Sequence, residues 1–302
     1  MKTIGQTVKM IRQIKGFTQS EVYSGVMSRS FAHRFENGEN DISAAKLFKI
    51  LDNLSISANE FRFIQNDYHE PTATSLKRRL LRAYNGHDLQ TMGQIIAETQ
   101  KSSRLSYKSV AAMGQILVVT YYSKTFTVTP AMENLWDTLF ASQTWTLEEI
   151  RQAQILLPIA VSRHQEALIS EIVDRFENNC RQYLQAVDDP FHIADELMDL
   201  YLYLSLFQIE LNLAQYQSAK EILNKIRQVN TLDLSWNGRF QQQLITAVWQ
   251  LYFGSEKKGL ALIAKLVAVE NLYSPTVDHN LLAIIKVRKR LAKQYRKANA
   301  VD

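Results

Sequence analysis

Ser28-Arg29-Ser30-Phe31-Ala32-His33-Arg34-Phe35-Glu36-Asn37-Gly38-Glu39-Asn40-Asp41-Ile42 is the stretch from which the rest of the chain can be read. Serine is a good N-cap, because its hydroxyl accepts from an otherwise unpaired amide of the first helical turn. Phe31 and Phe35 stand four residues apart with Ala32 beside them, which makes one apolar stripe to bury. Arg29, Ser30, His33 and Arg34 fall on the open sides. Asn37-Gly38 ends the helix, since glycine accepts the left-handed conformation of a C-terminal cap. Such an open face suits a DNA major groove: arginine is the commonest bidentate partner of guanine, and serine can reach a base or a phosphate. Read alone, the stretch fits a surface helix with ordinary charges better; its neighbours decide.

Upstream, Thr18-Gln19-Ser20-Glu21 is a capping box, with threonine at the cap and glutamate three residues later. Residues 18–24 form a short helix, and Ser24-Gly25-Val26-Met27 turns into the next. Two short helices joined through a glycine-bearing turn make the helix-turn-helix pattern. Before them, residues 3–15 form a first helix with Ile4, Val8, Ile11 and Ile14 on one face. After them, Ser43 caps a fourth helix over 43–53, and Ser57 begins a fifth that returns Phe61 and Ile64 to the core.

The frame of Arg12, Gly16, Thr18-Gln19, Glu21 and Arg34-Phe35-Glu36-Asn37-Gly38-Glu39 resembles the Cro-like (XRE) repressor domain. The narrower set Ser28-Arg29-Ser30, Arg34-Phe35-Glu36, Gly38-Glu39, Asp41-Ile42-Ser43 and Leu51-Asp52-Asn53-Leu54 resembles the Rgg/GadR/MutR regulators of Gram-positive bacteria. The resemblance implies that Arg12 pairs with Glu36, tying the first helix to the recognition helix. It implies DNA contacts by Gln19, Ser28, Arg29, Ser30, His33 and Arg34. It also implies a C-terminal domain that dimerises the protein and binds short imported peptides. Some members carry a cysteine after the recognition helix; here Ala44 stands in that place, so a homodimer held by the helical domain, without that crosslink, is expected.

Composition narrows the remaining choices. The chain has 302 residues and 46% hydrophobic residues, enough for two domains with real cores. Ten glycines and five prolines favour long helices over many turned strands, so the expected fold is all-α. The lone cysteine, Cys180, has no internal disulfide partner, and the N-terminus has no secretory signature, so a reducing cytoplasm is expected. No apolar run approaches the roughly 18 residues of a membrane span. Within 1–66, nine lysines and arginines face six acids, a net +3 that can neutralise a few phosphates. Tight DNA binding therefore needs a dimer.

The expected organisation is a helix-turn-helix domain over 1–66, a polar, proline-bearing linker over 67–73 and a helical domain over 74–302. Helices are predicted near 74–85, 88–100, 103–122, 130–141, 146–161, 164–186, 190–213, 217–229, 236–253, 256–270 and 276–297. Leu213-Ala214-Gln215-Tyr216-Gln217-Ser218-Ala219, and then Phe253-Gly254 with Gly259, resemble tetratricopeptide repeats, with small residues where helices approach. An irregular bundle fits the detail nearly as well. A peptide in a helical groove needs side chains that both donate and accept, plus apolar pockets. Arg151, Asn178, Gln182, Tyr201, Gln208 and Asn212 are the candidates, with Arg151 for a peptide carboxylate. The terminal helix carries Lys286, Arg288, Lys289, Arg290, Lys293, Arg296 and Lys297 against Leu281, Leu282, Ile285 and Leu291. A basic amphipathic helix can lie on a membrane or nucleic acid, but the stronger reading is a terminal helix docked by its apolar stripe, with cations that favour the helix C-terminus.

No phosphate-binding glycine loop, nucleophile elbow or zinc-protease helix motif is present, and the six histidines show no ligand spacing. Neither enzyme, metal nor cofactor is expected. The expected partners are double-stranded DNA, a short hydrophobic signalling peptide and a second copy of the chain. A ligand-independent dimeric regulator and a repeat-domain scaffold remain open alternatives.

Overall fold

Serine and threonine open every helix of the N-terminal unit. In the computed structural model, which describes residues 2–70, 72–122, 126–153, 155–184 and 202–299, helix α1 (Ile4–Ile14) starts at Thr3 and α2 (Gln19–Tyr23) at Thr18. Both starts are reciprocal capping boxes, with Gln6 and Glu21 returning to the cap amide. Ser28, Ser43 and Ser57 cap α3 (Arg29–Glu36), α4 (Ala44–Asn53) and α5 (Ala58–Gln65). Val8, Ile11, Val22, Phe35, Leu51, Leu54 and Phe61 form the core beneath them. Fully burying one such side chain contributes about 1.5–3 kcal/mol. Helix α1 lies directly on α3 because residue 5 is glycine: a Cβ there would stand 1.7 Å from the Phe35 carbonyl oxygen.

The chain divides into two compact units, Met1–Ser75 and Leu76–Asp302. The expected linker over 67–73 is shorter than its polar composition suggested. Asp67 and Tyr68 take positive φ and close α5, with the Tyr68 amide on the Phe63 carbonyl at 2.9 Å and its ring edge-on to Phe63. Helix α6 (Thr72–Asn85) has already begun at Thr72.

The second unit continues in antiparallel helices, with no β-strand among the described residues. They are α7 (Leu89–Thr99), α8 (Leu105–Tyr122), α9 (Pro130–Ala141), α10 (Leu147–Ala153), α11 (Leu156–Ser162) and α12 (Leu168–Leu184). There follow α13 (Tyr203–Asn212), α14 (Tyr216–Gln228), α15 (Trp236–Phe253), α16 (Glu256–Asn271) and α17 (His279–Asn299). The single helix predicted over 146–161 is two helices. Pro158 has no amide to donate and crowds the preceding turn, so it sits in the first turn of α11, where a donor is dispensable. The first half of the helix predicted over 190–213 lies outside the described residues; α13 is its described end.

Close approach in the repeats depends on small residues. Ala219 is fully buried on α14, and a Cβ at Gly259 of α16 would stand 2.9 Å from a Leu251 methyl of α15. The α13–α14 turn requires a left-handed residue, and Ala214 supplies it at φ 58°. In the α6–α7 turn the left-handed residue is His87, at φ 56°, rather than the adjacent Gly86. Its Nε2 lies 2.7 Å from Asn280 Oδ1, so the α6–α7 turn meets the first turn of α17. Asn280 Nδ2 donates to the Tyr84 carbonyl, which leaves its oxygen for the imidazole N–H.

Candidate functional site

Glu36, at the end of α3, is 2% exposed, and three helices converge on its carboxylate. Arg12 of α1 donates from Nε to Oε1 at 2.6 Å and from Nη2 to Oε2 at 2.9 Å. From α2, Gln19 Nε2 donates to Oε2 at 2.8 Å and the Tyr23 hydroxyl to Oε1 at 2.9 Å. Arg12 Nη1 completes the clamp on the Phe17 carbonyl at 2.9 Å. Burial alone pushes the Glu36 carboxyl up; the bonds from Arg12, Gln19 and Tyr23 and the Arg12 charge outweigh it and hold it below the usual carboxylate value. Burial and the bond to Glu36 push the Tyr23 phenol well up. Gln19, expected on DNA, thus has its amide nitrogen turned into the clamp.

On this frame α3 turns Arg29, Ser30, His33 and Arg34 to solvent. Ser28 is exposed too, but its Oγ is engaged as the N-cap of the Phe31 amide at 3.4 Å and lies 3.3 Å from Ser30 Oγ. His33 Nδ1 stands 3.4 Å from Asn37 Nδ2. Gly38 takes φ 80° and turns the chain away beyond the helix end.

Two features of this face escaped sequence reasoning. Phe31, assigned to the buried stripe, is only half-buried, whereas Ala32 and Phe35 are fully enclosed. The Arg34 guanidinium lies 5.8 Å and the Lys46 ammonium 5.6 Å from the Phe31 ring centre. Lys46, exposed on the first turn of α4, therefore joins the cationic face. Its placement depends on how α4 packs against α3, which no local pattern encodes.

The second unit holds a cleft of about 690 Å³ between the α9–α10 loop and α12. Gln143, Thr144, Glu171, Asp174, Asn178 and Gln182 are among its walls, so two of the expected peptide-binding residues stand together there. Two further lining residues, Arg175 and Asn179, are held against Trp145, which is 2% exposed. Asn179 Oδ1 accepts the Trp145 amide at 2.7 Å, and Trp145 Nε1 donates to the Leu139 carbonyl at 2.9 Å. The Arg175 guanidinium lies 4.7 Å from the Trp145 ring centre and donates to the Phe140 carbonyl at 3.3 Å. The other candidates are not gathered here. Arg151 is half-buried on α10, and Asn212 is exposed as the last residue of α13. Gln208 is half-buried with its carbonyl accepting from Arg288 at 3.0 Å, and Tyr201 lies outside the described residues.

On the terminal helix Arg288 and Arg296 are 2% and 6% exposed, on the same stripe as Leu281, Ile285 and Ala292. Arg296 Nη1 reaches the Gly254 carbonyl at 2.8 Å and so closes the end of α15. Among the described residues no three His, Cys, Asp or Glu side chains are grouped to hold a metal. Nor is any described helix long and apolar enough to cross a membrane.

No protein-family model matches the chain. Solved structures match it from end to end. A proposed transcriptional regulator from Listeria monocytogenes EGD-e is 20% identical with a TM-score of 0.65, and the match covers 99% of each chain. The pheromone receptor Rgg2 of Streptococcus dysgalactiae is 16% identical with a TM-score of 0.64, over 98% of this chain and 100% of its own. PlcR of Bacillus thuringiensis, solved with the peptide PapR7 and DNA, is 15% identical with a TM-score of 0.54, over 91% of this chain and all of its own. The chain therefore has the all-α, whole-chain fold of these regulators, which is the fold its resemblance to the Rgg group implied.

Proposed function

We propose that the chain is a dimeric, cytoplasmic, non-enzymatic transcription regulator. In this reading residues 1–66 bind promoter DNA, and the helical unit beyond the linker binds a short imported signalling peptide that controls promoter binding or activation. The observation that carries it is α3: four polar or cationic side chains face outward from a helix locked at its base by the Glu36 clamp. A rigidly held short helix with arginines outward can enter a major groove with little ordering cost. The likeness to PlcR, solved with peptide and DNA, supports the pairing of the two ligands in one fold. Arg29, Ser30 and Arg34 read bases, Ser28 and His33 flank them, and Gln19 and Arg12 hold the helix through Glu36. Asn178 and Gln182 contact the peptide in the α12 cleft. A dimer presents its two recognition helices to half-sites one helical turn apart, or a multiple of it.

Selection from a random duplex pool tests the reading. The full-length protein enriches a two-fold symmetric site, and Arg29→Ala/Arg34→Ala loses that site by about 100-fold or more, since each bidentate base contact is worth roughly 1–3 kcal/mol. Enrichment of the same site by the double variant would refute the assigned helix.

A further inference from the structure

Among the described residues two arginines are buried, Arg288 and Arg296, and Arg288 is the one with guanidinium nitrogens left unpaired. Arg12 meets the Glu36 carboxylate, and Arg296 meets the carbonyls that end α15. Arg288, 2% exposed in the middle of α17, reaches only Gln208 and the Tyr252 phenol among the described residues. Its Nη2 donates to the Gln208 carbonyl at 3.0 Å and lies 3.5 Å from Gln208 Oε1. The Tyr252 phenol is hydrogen-bonded to the guanidinium, and no carboxylate of the described residues stands beside it. Nε and Nη1 have no hydrogen-bond partner among the described residues.

Arginine keeps its proton at any pH the protein meets, so this site cannot be relieved by discharge. Burial works against the cation, and only neutral oxygens offset it. A hydrophobic side chain at position 288 would continue the stripe of Leu281, Ile285 and Ala292 at no such expense. A residue that breaks the local rule without a structural return marks a place where function is expected to supply the missing partner. Two guanidinium nitrogens lacking an acceptor are what an ordered carboxylate can satisfy, since it brings both the charge and the acceptors.

We propose that Arg288, with Gln208 and Tyr252 beside it, is the receptor for a carboxylate of the bound peptide. The inference rests on the peptide-sensor reading above. The carboxylate comes from the peptide C-terminus or from an acidic side chain, and the test separates the two. The full-length protein is mixed with three pools of random hydrophobic heptapeptides, and retained peptides are identified by mass spectrometry after gel filtration. The first pool has free carboxyl termini and no acidic residue, the second is its carboxamide counterpart, and the third is carboxamide with one Asp or Glu. The wild type should retain the first pool about 10- to 100-fold better than the second, the range for a buried charge-assisted hydrogen bond. Preference for the third pool over both would support the receptor and assign the side chain as source. Arg288→Met should abolish the discrimination while melting no lower than wild type without peptide, because it removes an unpaired buried charge. Equal retention of all three pools by the wild type would overturn the inference and leave the sensor reading standing. Retention from none of them would overturn the sensor reading and the inference together. The comparison of pools on wild-type protein does not depend on the variant folding.

Discussion

Replacing Glu36 by glutamine tests whether the recognition helix is held by charge or merely by shape. Glutamine is nearly isosteric, but it offers one acceptor oxygen to four donated hydrogen bonds and turns its own amide hydrogens toward two of them. The side chains of Arg12 and Glu36 are 13% and 2% exposed, and breaking an ion pair so enclosed costs about 3–5 kcal/mol. The whole N-terminal unit, Met1–Ser75, has at most about 4–11 kcal/mol to lose at the usual stability per residue. The variant should therefore open this unit alone. All four tryptophans, Trp136, Trp145, Trp236 and Trp249, lie in the second unit, so tryptophan fluorescence should melt as in wild type. Hydrogen-exchange mass spectrometry should show faster exchange throughout α1, α2 and α3. Since Glu36 is held below its ordinary value in the folded state, its contribution is fully present above the unfolded-state value of about 4.3. It is lost as pH falls through the lower folded value, so the gap between wild type and Glu36→Gln should shrink below about pH 4. Protection in α1–α3 within about 1 kcal/mol of wild type at neutral pH would refute the clamp.

Three further substitutions probe other links. Gly5→Ala places a methyl against the Phe35 carbonyl and should destabilise the first unit by about 3 kcal/mol in hydrogen exchange; an unchanged unit would mean that α1 and α3 are not packed this closely. Ala214→Gly relieves a left-handed alanine and should raise the urea stability of the second unit by about 0.5–1 kcal/mol, read by tryptophan fluorescence. Lys46→Ala should flatten the plot of log affinity against log salt by about one unit per protomer, equally on every duplex, if this exposed lysine meets a phosphate.

The N-terminal unit was legible because its signals are local. Thr18 with Glu21, and Ser28, Ser43 and Ser57, name helix starts within four residues of themselves, and the chain obeys them. Phe31 misled because it shares Phe35's stripe by periodicity, yet α4 leaves it at the edge, where Lys46 and Arg34 flank its ring. In the second unit, Pro158 could have divided the helix predicted over 146–161, had its missing amide been weighed against the apolar run around it. By residue type the cations of the terminal helix form one group, although Leu281, Ile285, Arg288, Ala292 and Arg296 follow one buried helical stripe. Position outweighed residue type there, because the carbonyls of Gln208 and Gly254 receive the two arginines. Of the peptide candidates, Asn178 and Gln182 came together because i,i+4 spacing is itself a geometric statement; the others depended on a repeat register that sequence spacing left loose.

The most direct test of the account is the affinity of the full-length protein for its selected duplex, measured by fluorescence anisotropy at fixed salt with and without a saturating peptide. Peptide and DNA are linked only if the peptide favours one arrangement of the protein, so the account predicts a shift of about 5- to 150-fold in either direction. A peptide that binds the helical unit yet leaves the duplex affinity unchanged would contradict peptide control of promoter binding.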